Sequence, residues 1–370
     1  LRLVEEQDGA ASPSTFTALR LAVRRPAVPW RPDVTFFCPV FAESWGPWRI
    51  LKEGCGGSEE AVIYLARELA TLGLHVQVYA PLDRGAHRGV HVEDGVRWLP
   101  LDSLDPVRRT PGVVISHRAP HAVRMPCFDS KRLYVWHQDA AYASAWNRPI
   151  AEAVRSLFVS KWQRDTLLRQ VGVVDEIESD KWGVVCGDAI PASACDDAGV
   201  ERDARSCVYS SSPLRGLREL LGVWPQIQER AGEATLHVFY GWATAPIGLA
   251  AMREEVAALV AASKNVVWHG RIPQCEFETE LQRHGVWLYP CVFQEGYCIA
   301  GVRAAAAGLV PVYRKTAALP ETQYPSEFTV DDTDWIRGGA QRYVEVAVAA
   351  IKASASGSFD RQAARQWARG

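Results

Sequence analysis

Two apolar runs in the second half of the chain flank a polar loop and an alanine-rich stretch. Residues 286–289 and 309–313 are apolar, which is typical of buried strands. Between them, residues 299–307 predict a short helix, and Gly308 follows as the residue that ends it. Strand, loop, helix and strand in this order form the βαβ unit of a parallel sheet.

The same alternation extends along most of the chain. Apolar runs predict further strands at residues 34–40, 74–79, 112–116, 132–136, 157–160, 207–209, 234–240 and 266–268, and a hairpin at 90–99. Helical spacing predicts helices at 61–72, 161–169, 276–284, 343–353 and 359–368, and one that begins near Gly216. Strands that alternate with helices indicate an α/β protein.

A chain of 370 residues is long enough for two domains with separate cores. We assign residues 1–33, which contain three prolines at their end, to an irregular lead-in. The first domain is expected over 34–184, a linker over 185–205, and the second domain over 206–355.

Composition narrows the class of protein. A hydrophobic content of 48% and a charged content of 23% are those of a soluble globular protein, and the net charge of −2 gives no support for a nucleic-acid binder. The nine cysteines include no C-x-x-C pair, which favours free thiols in a reducing compartment. No transmembrane stretch and no signal peptide is evident, so we expect a cytoplasmic protein with at most peripheral membrane contact.

The loop between residues 289 and 299, in the βαβ unit of the second half of the chain, has the features of an anion site. It lies at the carboxyl end of its strand, where open α/β sheets bind ligands. Gly296 permits close approach of the backbone, and the helix start after it offers free amides to a phosphate. Glu295 is better placed to accept hydrogen bonds from hydroxyls. The alternative is an ordinary loop with a solvated glutamate.

Other candidate site residues also lie at the starts of helices or the ends of strands. Arg215 precedes a helix, where the dipole disfavours a cation, so an anionic partner is suggested, although a solvated arginine is the alternative. Gly57 precedes another helix start. Three strands of one sheet end in His117 and Arg118, in His137 to Asp139, and in Ser160 and Lys161, which makes a convergent site plausible. Each histidine could instead be solvated or capping.

Taken together, five stretches resemble retaining glycosyltransferases of family 4, which have the GT-B fold: two Rossmann-like domains that face a cleft. FQEGYCIAGVR resembles the E-G-F/Y-G/C signature, and GCGGSEE resembles the G-G-x-E segment. SHRAPHAV resembles the His-x-x-Pro loop, SSSPLRGL the loop whose cation neutralises the donor diphosphate, and LFVSKWQRD the S-x-W/F-x-R-D helix start. The resemblance covers residues 34–368, and in such proteins the last helix, here within 356–370, packs back on the first domain.

The resemblance implies the transfer of a sugar from a nucleotide diphosphate-sugar to an acceptor with retention of configuration. It implies that Glu295 and His117 orient the sugar. The implied donor-binding residues are Gly57, Arg215, Arg271, Gly296, Tyr297, Cys298 and Arg303. On the acceptor side the resemblance implies Glu59, and we add His137 and Asp139 from the strand ends. A UDP or GDP sugar is the expected donor, with no cofactor, and we expect no metal because no Asp-x-Asp motif ends a strand.

Arg303 departs from the pattern, because the family has a glutamate there that binds the ribose. An arginine has no acceptor. It could donate to the nucleotide, pair with Glu295, or point to solvent. This departure, Ser210 in place of the motif's first arginine, and a missing hinge asparagine leave two alternatives open: a catalytically silent relative that acts as a binding module, and a nucleotide-sugar epimerase.

Overall fold

The computed structural model describes residues 30–82, 89–142, 145–242, 248–336 and 338–370. Most of the lead-in assigned to residues 1–33 lies outside these ranges. The described residues form two α/β domains, each built on its own sheet. The predicted fold class, with two parallel-sheet domains, is therefore confirmed.

Eight strands make up the sheet of the first domain. They are β1 (Val34–Phe37), β2 (Val76–Ala80), β3 (His91–Glu93), β4 (Val96–Pro100), β5 (Val113–His117), β6 (Leu133–Trp136), β7 (Arg155–Phe158) and β8 (Gly183–Val185). Their order across the sheet is β3-β4-β2-β1-β5-β6-β7-β8. All neighbours are parallel except β3 and β4, which form the predicted antiparallel hairpin.

Six strands make up the sheet of the second domain. They are β9 (Asp203–Ser210), β10 (Thr235–Phe239), β11 (Val266–Gly270), β12 (His284–Tyr289), β13 (Val310–Lys315) and β14 (Thr329–Asp331). The order is β11-β10-β9-β12-β13-β14, and all neighbours are parallel. β12 is buried at all six positions, which explains the apolar run at residues 286–289 within it.

Helices connect the strands and cover both sheets. They are α1 (Pro47–Lys52), α2 (Gly57–Thr71), α3 (Arg148–Ala153), α4 (Lys161–Gln170), α5 (Leu217–Ala231), α6 (Ala250–Ala262), α7 (Gln274–Leu281), α8 (Ile299–Ala306), α9 (Leu319–Thr322), α10 (Asp332–Ile336), α11 (Gly339–Ser356) and α12 (Arg361–Ala368). None of these helices combines the length and the apolar character that crossing a membrane requires.

The two domains have separate hydrophobic cores. In the first domain, successive side chains of β1 alternate between two core clusters, with Phe36 in one and Phe37 in the other, so both faces of the sheet are covered. The second domain has a large cluster around β9, β12, α5 and α11. Ile299 of α8 is an exception, because it packs into a core cluster of the first domain.

Most differences from the predicted elements are short structures. The sequence missed β8, β14, α1, α3, α9 and α10, each of six residues or fewer. It also missed a longer element, α6, which has 13 residues. It placed the start of the helix after Gly57 four residues late, at residue 61 rather than 57. Residues 276–284 were predicted as one helix, yet α7 ends at Leu281 and His284 begins β12.

The last helix differs from expectation in where it packs. Arg361 of α12 donates to the carbonyl of Gly308 at 2.9 Å, and Arg369 donates to that of Cys195 at 3.1 Å. The helix lies against α8. These contacts put α12 on the second domain and the linker, not on the first domain, because its arginines reach carbonyls at the ends of second-domain and linker elements.

Candidate functional site

A cleft lies between the two domains and encloses a cavity of about 390 Å³. The carboxyl ends of strands from both sheets face it, together with the starts of α2 and α8. From the first domain and the linker, it is lined by Ala42, Glu43, residues 53–60, Arg118, Gln138, Asp139 and Asp188. From the second domain, it is lined by residues 210–212, Arg215, 239–240, 270–272, Gln274, Phe277, 295–300 and Arg303.

The loop after β12 presents unused backbone donors to this cleft. The carbonyl of Tyr297 accepts from Thr322 Oγ1 at 2.6 Å and from Gln323 Nε2 at 2.8 Å, which fixes the loop from outside. Cys298 precedes α8 with a left-handed φ of 77° and makes no side-chain cap. Among the described residues, the amides of Gly296, Tyr297 and Cys298 have no acceptor. The start of α8 is therefore suited to an anion.

Arg215 is carried to the same end of the cleft by a tight turn. Residues Pro213–Arg215 form a 3₁₀ turn, and Gly216 follows with a φ of 116°. A Cβ on Gly216 would lie 2.3 Å from the carbonyl oxygen of Pro290, so only glycine fits. The guanidinium lies over the Phe293 ring, 3.4 Å from its centroid. Packing on this ring holds the cation at the cleft.

Glu295 and Arg215 are paired with each other. Arg215 Nη1 lies 3.0 Å from Glu295 Oε1, and the hydroxyl of Tyr289 donates to the same oxygen. The Glu295 side chain is only 12% exposed. The sequence thus located two charged residues at the cleft, and the structure shows that each neutralises the other.

On the first-domain wall, Arg118 lies next to two of the predicted acceptor-side carboxylates. It follows β5 with a left-handed φ of 60° and donates to both oxygens of Asp139, at 2.9 and 2.8 Å. Arg118 Nη1 also lies 3.6 Å from Glu59 Oε1. Glu59 and Asp139 therefore line the cleft as a charged group with Arg118.

The two predicted histidines lie beneath this wall and not on it. The ring of His137 is fully buried, stacks on Phe158 and makes a 3.1 Å hydrogen bond with Ser156 Oγ. His117 is fully buried and packs edge-on against Trp136. Burial lowers the pKa of each to about 3, so both rings are neutral at pH 7.

Both histidine predictions are therefore corrected: neither side chain lines the cleft. His137 remains in the sheet because its amide donates to the carbonyl of Leu157 at 2.9 Å. His117 is the last residue of β5 and shares the burial of that strand. The residues that turn into the cleft come directly after them in the chain.

Arg271 spans the cleft. Its Nη1 lies 2.5 Å from Glu43 Oε1 of the first domain, and its Nη2 donates to the hydroxyl of Tyr240 at 2.8 Å. The guanidinium carbon lies 4.5 Å from the centroid of the Tyr240 ring. Arg271 thus lines the predicted donor site, and its guanidinium is tied to the opposite wall.

Arg303 takes neither of two arrangements that the sequence suggested, pairing with Glu295 and exposure to solvent. It is 4% exposed, and its Nη1 lies 2.6 Å from Glu60 Oε2, while Glu278 lies 3.6 Å from Nη2. With its amide oriented to satisfy both partners, Gln274 donates to Glu60 and accepts from Arg303. The guanidinium is thus neither solvated nor bound to Glu295. Burial raises the pKa of Glu60 to about 7, and the charge of Arg303 opposes this rise.

Two of the predicted donor-binding residues, Gly57 and Gly296, lie where the two domains touch. A Cβ on Gly57 would lie 3.4 Å from Ile299 Cδ1, so the starts of α2 and α8 touch. A Cβ on Gly296 would lie 3.3 Å from the carbonyl oxygen of Gln138 and from Gln163 Nε2. Both glycines therefore let backbone from one domain approach the other.

Sequence reasoning missed Glu43, Glu60, Glu278 and Asp188. Asp188 lines the cleft from the linker and accepts from Gln138 at 2.9 Å. Glu60 carried a signal, since it stands in the first turn of a helix that follows two glycines. Glu43 and Glu278 carried none, because their partners in the second domain, Arg271 and Arg303, lie more than 20 residues away in sequence. Within the described ranges, no group of three or more His, Cys, Asp or Glu residues could hold a metal ion.

Comparisons with family models and with curated proteins gave no match. Solved structures do match over about 90% of the chain. A sucrose-phosphate synthase from Thermosynechococcus elongatus is 15% identical, with 90% of this chain and 97% of that chain covered and a TM-score of 0.59. WaaG, a glycosyltransferase involved in lipopolysaccharide biosynthesis, is 14% identical, with 90% and 94% covered and a TM-score of 0.58.

A third similar structure is Anabaena HepE in complex with UDP and glucose, at 12% identity, 90% and 98% coverage and a TM-score of 0.57. At such identities the likeness concerns the fold. The comparisons and the two facing sheets agree on it. The chain has the GT-B fold, with two Rossmann-like parallel-sheet domains that face a cleft.

Proposed function

We propose that this protein is a glycosyltransferase that moves a sugar from a nucleoside diphosphate-sugar to an acceptor. The GT-B fold that it shares with several glycosyltransferase structures supports this proposal. UDP is our first choice of nucleotide, because HepE binds UDP and glucose in an equivalent fold. Retention of configuration and independence of metal ions are part of the proposal.

One observation carries it: a cation and an uncapped helix start meet at one end of the cleft. Arg215 lines the cleft beside the loop whose amides, at Gly296, Tyr297 and Cys298, have no acceptor among the described residues. A departing nucleoside diphosphate gains negative charge as its bond to the sugar breaks. Donors that are fixed in place before the reaction stabilise such charge without reorganising.

Glu295 has a role that follows from its pairing with Arg215. A diphosphate that binds Arg215 competes with Glu295 for the guanidinium, since the two groups lie 3.0 Å apart. The displaced carboxylate can only accept hydrogen bonds. The sugar that is bonded to the diphosphate carries hydroxyl groups that can donate. We therefore assign Glu295 to binding of the transferred sugar.

The opposite wall takes the acceptor in this proposal. Glu59 and Asp139 face the cleft and are held by Arg118. Their carboxylates can accept hydrogen bonds from the hydroxyl groups of an acceptor. His117 is given no contact with substrate, because it is fully buried.

The absence of a metal requirement is tested with EDTA. Arg215 and the amides at the start of α8 supply the positive charge that faces the diphosphate. Transfer should continue at an unchanged rate in EDTA. Activity that is lost in EDTA and restored by Mg²⁺ or Mn²⁺ contradicts this part of the proposal.

Binding and turnover test the proposal as a whole. A thermal-shift panel of UDP, GDP, ADP and dTDP should show stabilisation by at least one nucleotide, since a ligand of the folded state must raise its stability. Turnover of the matching sugar nucleotide, with analysis of the product anomer, should then show a retained configuration. Binding without turnover indicates a silent relative, whereas a changed sugar without transfer indicates an epimerase.

A further inference from the structure

The starts of α2 and α8 lie against each other across the domain boundary. Gly57 begins α2 and approaches Ile299, which begins α8 and packs into a core cluster of the first domain. Neither helix start has a side-chain cap. Glu59, a cleft carboxylate of the first wall, lies within two residues of the α2 start. The distance between these helix starts therefore sets the distance between the two walls.

A buried ion pair joins these helices one turn further in. Glu60 of α2 and Arg303 of α8 are 243 residues apart in sequence and 2.6 Å apart at Oε2 and Nη1. Their side chains are 5% and 4% exposed. Gln274 of α7 binds both, and Glu278 of α7 lies 3.6 Å from Arg303. Three helices from two domains thus meet at one charge pair.

A second ion pair between the described residues of the two domains is more exposed. Arg271 and Glu43 also cross the cleft, but their side chains are 11% and 13% exposed. Each domain has its own core, so the Glu60–Arg303 pair acts chiefly on how the domains are arranged. A buried charge without a partner is strongly disfavoured. The domain arrangement in which Glu60 and Arg303 meet is therefore favoured over arrangements that separate them.

We propose that Glu60 and Arg303 are positioning residues for sugar transfer, which rests on the proposed function. Their ion pair holds α2 against α8 and so sets Glu59 at a fixed distance from the donor site at the start of α8. In this assignment the pair acts by holding the two helices together and not by contact with a substrate. Arg215 and the amides of residues 296–298, which bind the diphosphate, all belong to the second domain.

Breaking the pair should affect UDP affinity and the rate of sugar transfer differently. Breaking the pair leaves the diphosphate site of the second domain intact, so UDP affinity should change less than threefold. It misplaces the acceptor wall, so transfer at saturating donor should fall at least tenfold. Loss of fold would instead lower both quantities together, which distinguishes positioning from a general effect on stability.

The test is reversal of the pair. Glu60→Arg and Arg303→Glu are measured singly and together, with UDP affinity by calorimetry and transfer rate by product formation. The double reversal rebuilds the ion pair and should recover transfer to within about fivefold of wild type. Reversal of the exposed pair Arg148 and Glu152 in α3, which lies 2.9 Å apart, is the matched control and should change nothing.

Two results overturn the proposal: single variants that transfer sugar like wild type, or a double reversal as impaired as the worse single variant. If a reversal does not fold, Glu60→Gln, which keeps the side-chain size, is measured instead with the same expected split. Failure of the wild type to bind any nucleoside diphosphate contradicts the proposed function itself, and is seen before any variant is made.

Discussion

The two walls of the cleft use the ends of their strands differently. In the second domain, residues of the loops after β9 and β12 reach the cleft directly, as Arg215 and Glu295 do. In the first domain, His117 and His137 at the ends of β5 and β6 are fully buried, and Arg118 and Asp139 line the cleft instead. In the first domain, the polar residues at these two strand ends are therefore buried, and the residues that follow them reach the cleft.

Hydrogen bonding explains this difference. The amide of Arg118 still bonds to the carbonyl of Trp136, and that of His137 to Leu157, so the ladder continues past the apolar run. The left-handed φ of Arg118 then turns its side chain outward. In the second domain, by contrast, the loop after β12 ends its ladder and is fixed by Thr322 and Gln323.

The largest expected effect concerns the buried part of the first wall. His137→Ala removes a ring that packs on Phe158, Trp146 and Tyr142 and leaves a cavity. We expect the free energy of unfolding to fall by about 2–4 kcal/mol, as for other large core truncations. Denaturant unfolding measures it, with the exposed His121→Ala as control. An equal, small effect of both variants would place His137 at the surface and remove the contrast between the walls.

The second effect concerns the donor wall. Arg215→Ala should weaken UDP binding by about 1.5–3 kcal/mol, the value for a hydrogen bond between charged groups. Calorimetry measures it. Arg314→Ala is a matched control, because Arg314 also lies over an aromatic ring, Trp335, and pairs with a carboxylate, Asp332, outside the cleft. Equal affinities of Arg215→Ala and wild type would show that Arg215 is structural.

A third variant separates the sugar from the diphosphate. Glu295→Gln removes the negative charge that competes for Arg215, so UDP affinity should stay the same or rise by up to about threefold, since the competing pair is partly screened by solvent. Transfer should fall at least tenfold, because the amide is a poorer acceptor for sugar hydroxyls. A fall in UDP affinity equal to the fall in turnover would contradict the division of roles.

The smallest effect at neutral pH concerns the protonation state of His137, beneath the first wall. Burial lowers the pKa of His137 to about 3, so the folded protein keeps this ring neutral while the unfolded chain takes up a proton below about pH 6.5. Stability should therefore fall as the pH drops from 6.5 towards 4. His137→Phe removes this contribution. As the pH falls from 6.5 towards 4, the melting temperature of the variant should therefore fall less than that of the wild type. A constant difference over this range would contradict a neutral buried ring.

Much of the fold could be predicted from the sequence, because long apolar runs and helical spacing report burial directly. The βαβ unit around Glu295 is an example: β12, α8 and β13 lie within three residues of their predicted bounds. β8 and β14 have three residues each and carry too little pattern. α12 was placed on the wrong domain, because no local pattern in its own sequence says which carbonyls its arginines reach.

The site was predicted unevenly for a physical reason. Arg215 and Glu295 were found because backbone geometry near a helix start is encoded locally. Their mutual pairing was not, since they are 80 positions apart in sequence. The same holds for Arg303, whose partner Glu60 comes from the other domain. Pairs between domains depend on how the domains meet, which no short stretch encodes.

Hydrogen exchange of the wild-type protein with and without UDP reports on the start of α8 in solution. We expect UDP to slow exchange of the amides at residues 296–299, at the start of α8, and to leave the amides of β5 and β6 beneath the first wall unchanged. Slowed exchange confined to the first domain, or no change at the start of α8 at UDP concentrations that raise the melting temperature, would contradict the claim that this helix start holds the diphosphate.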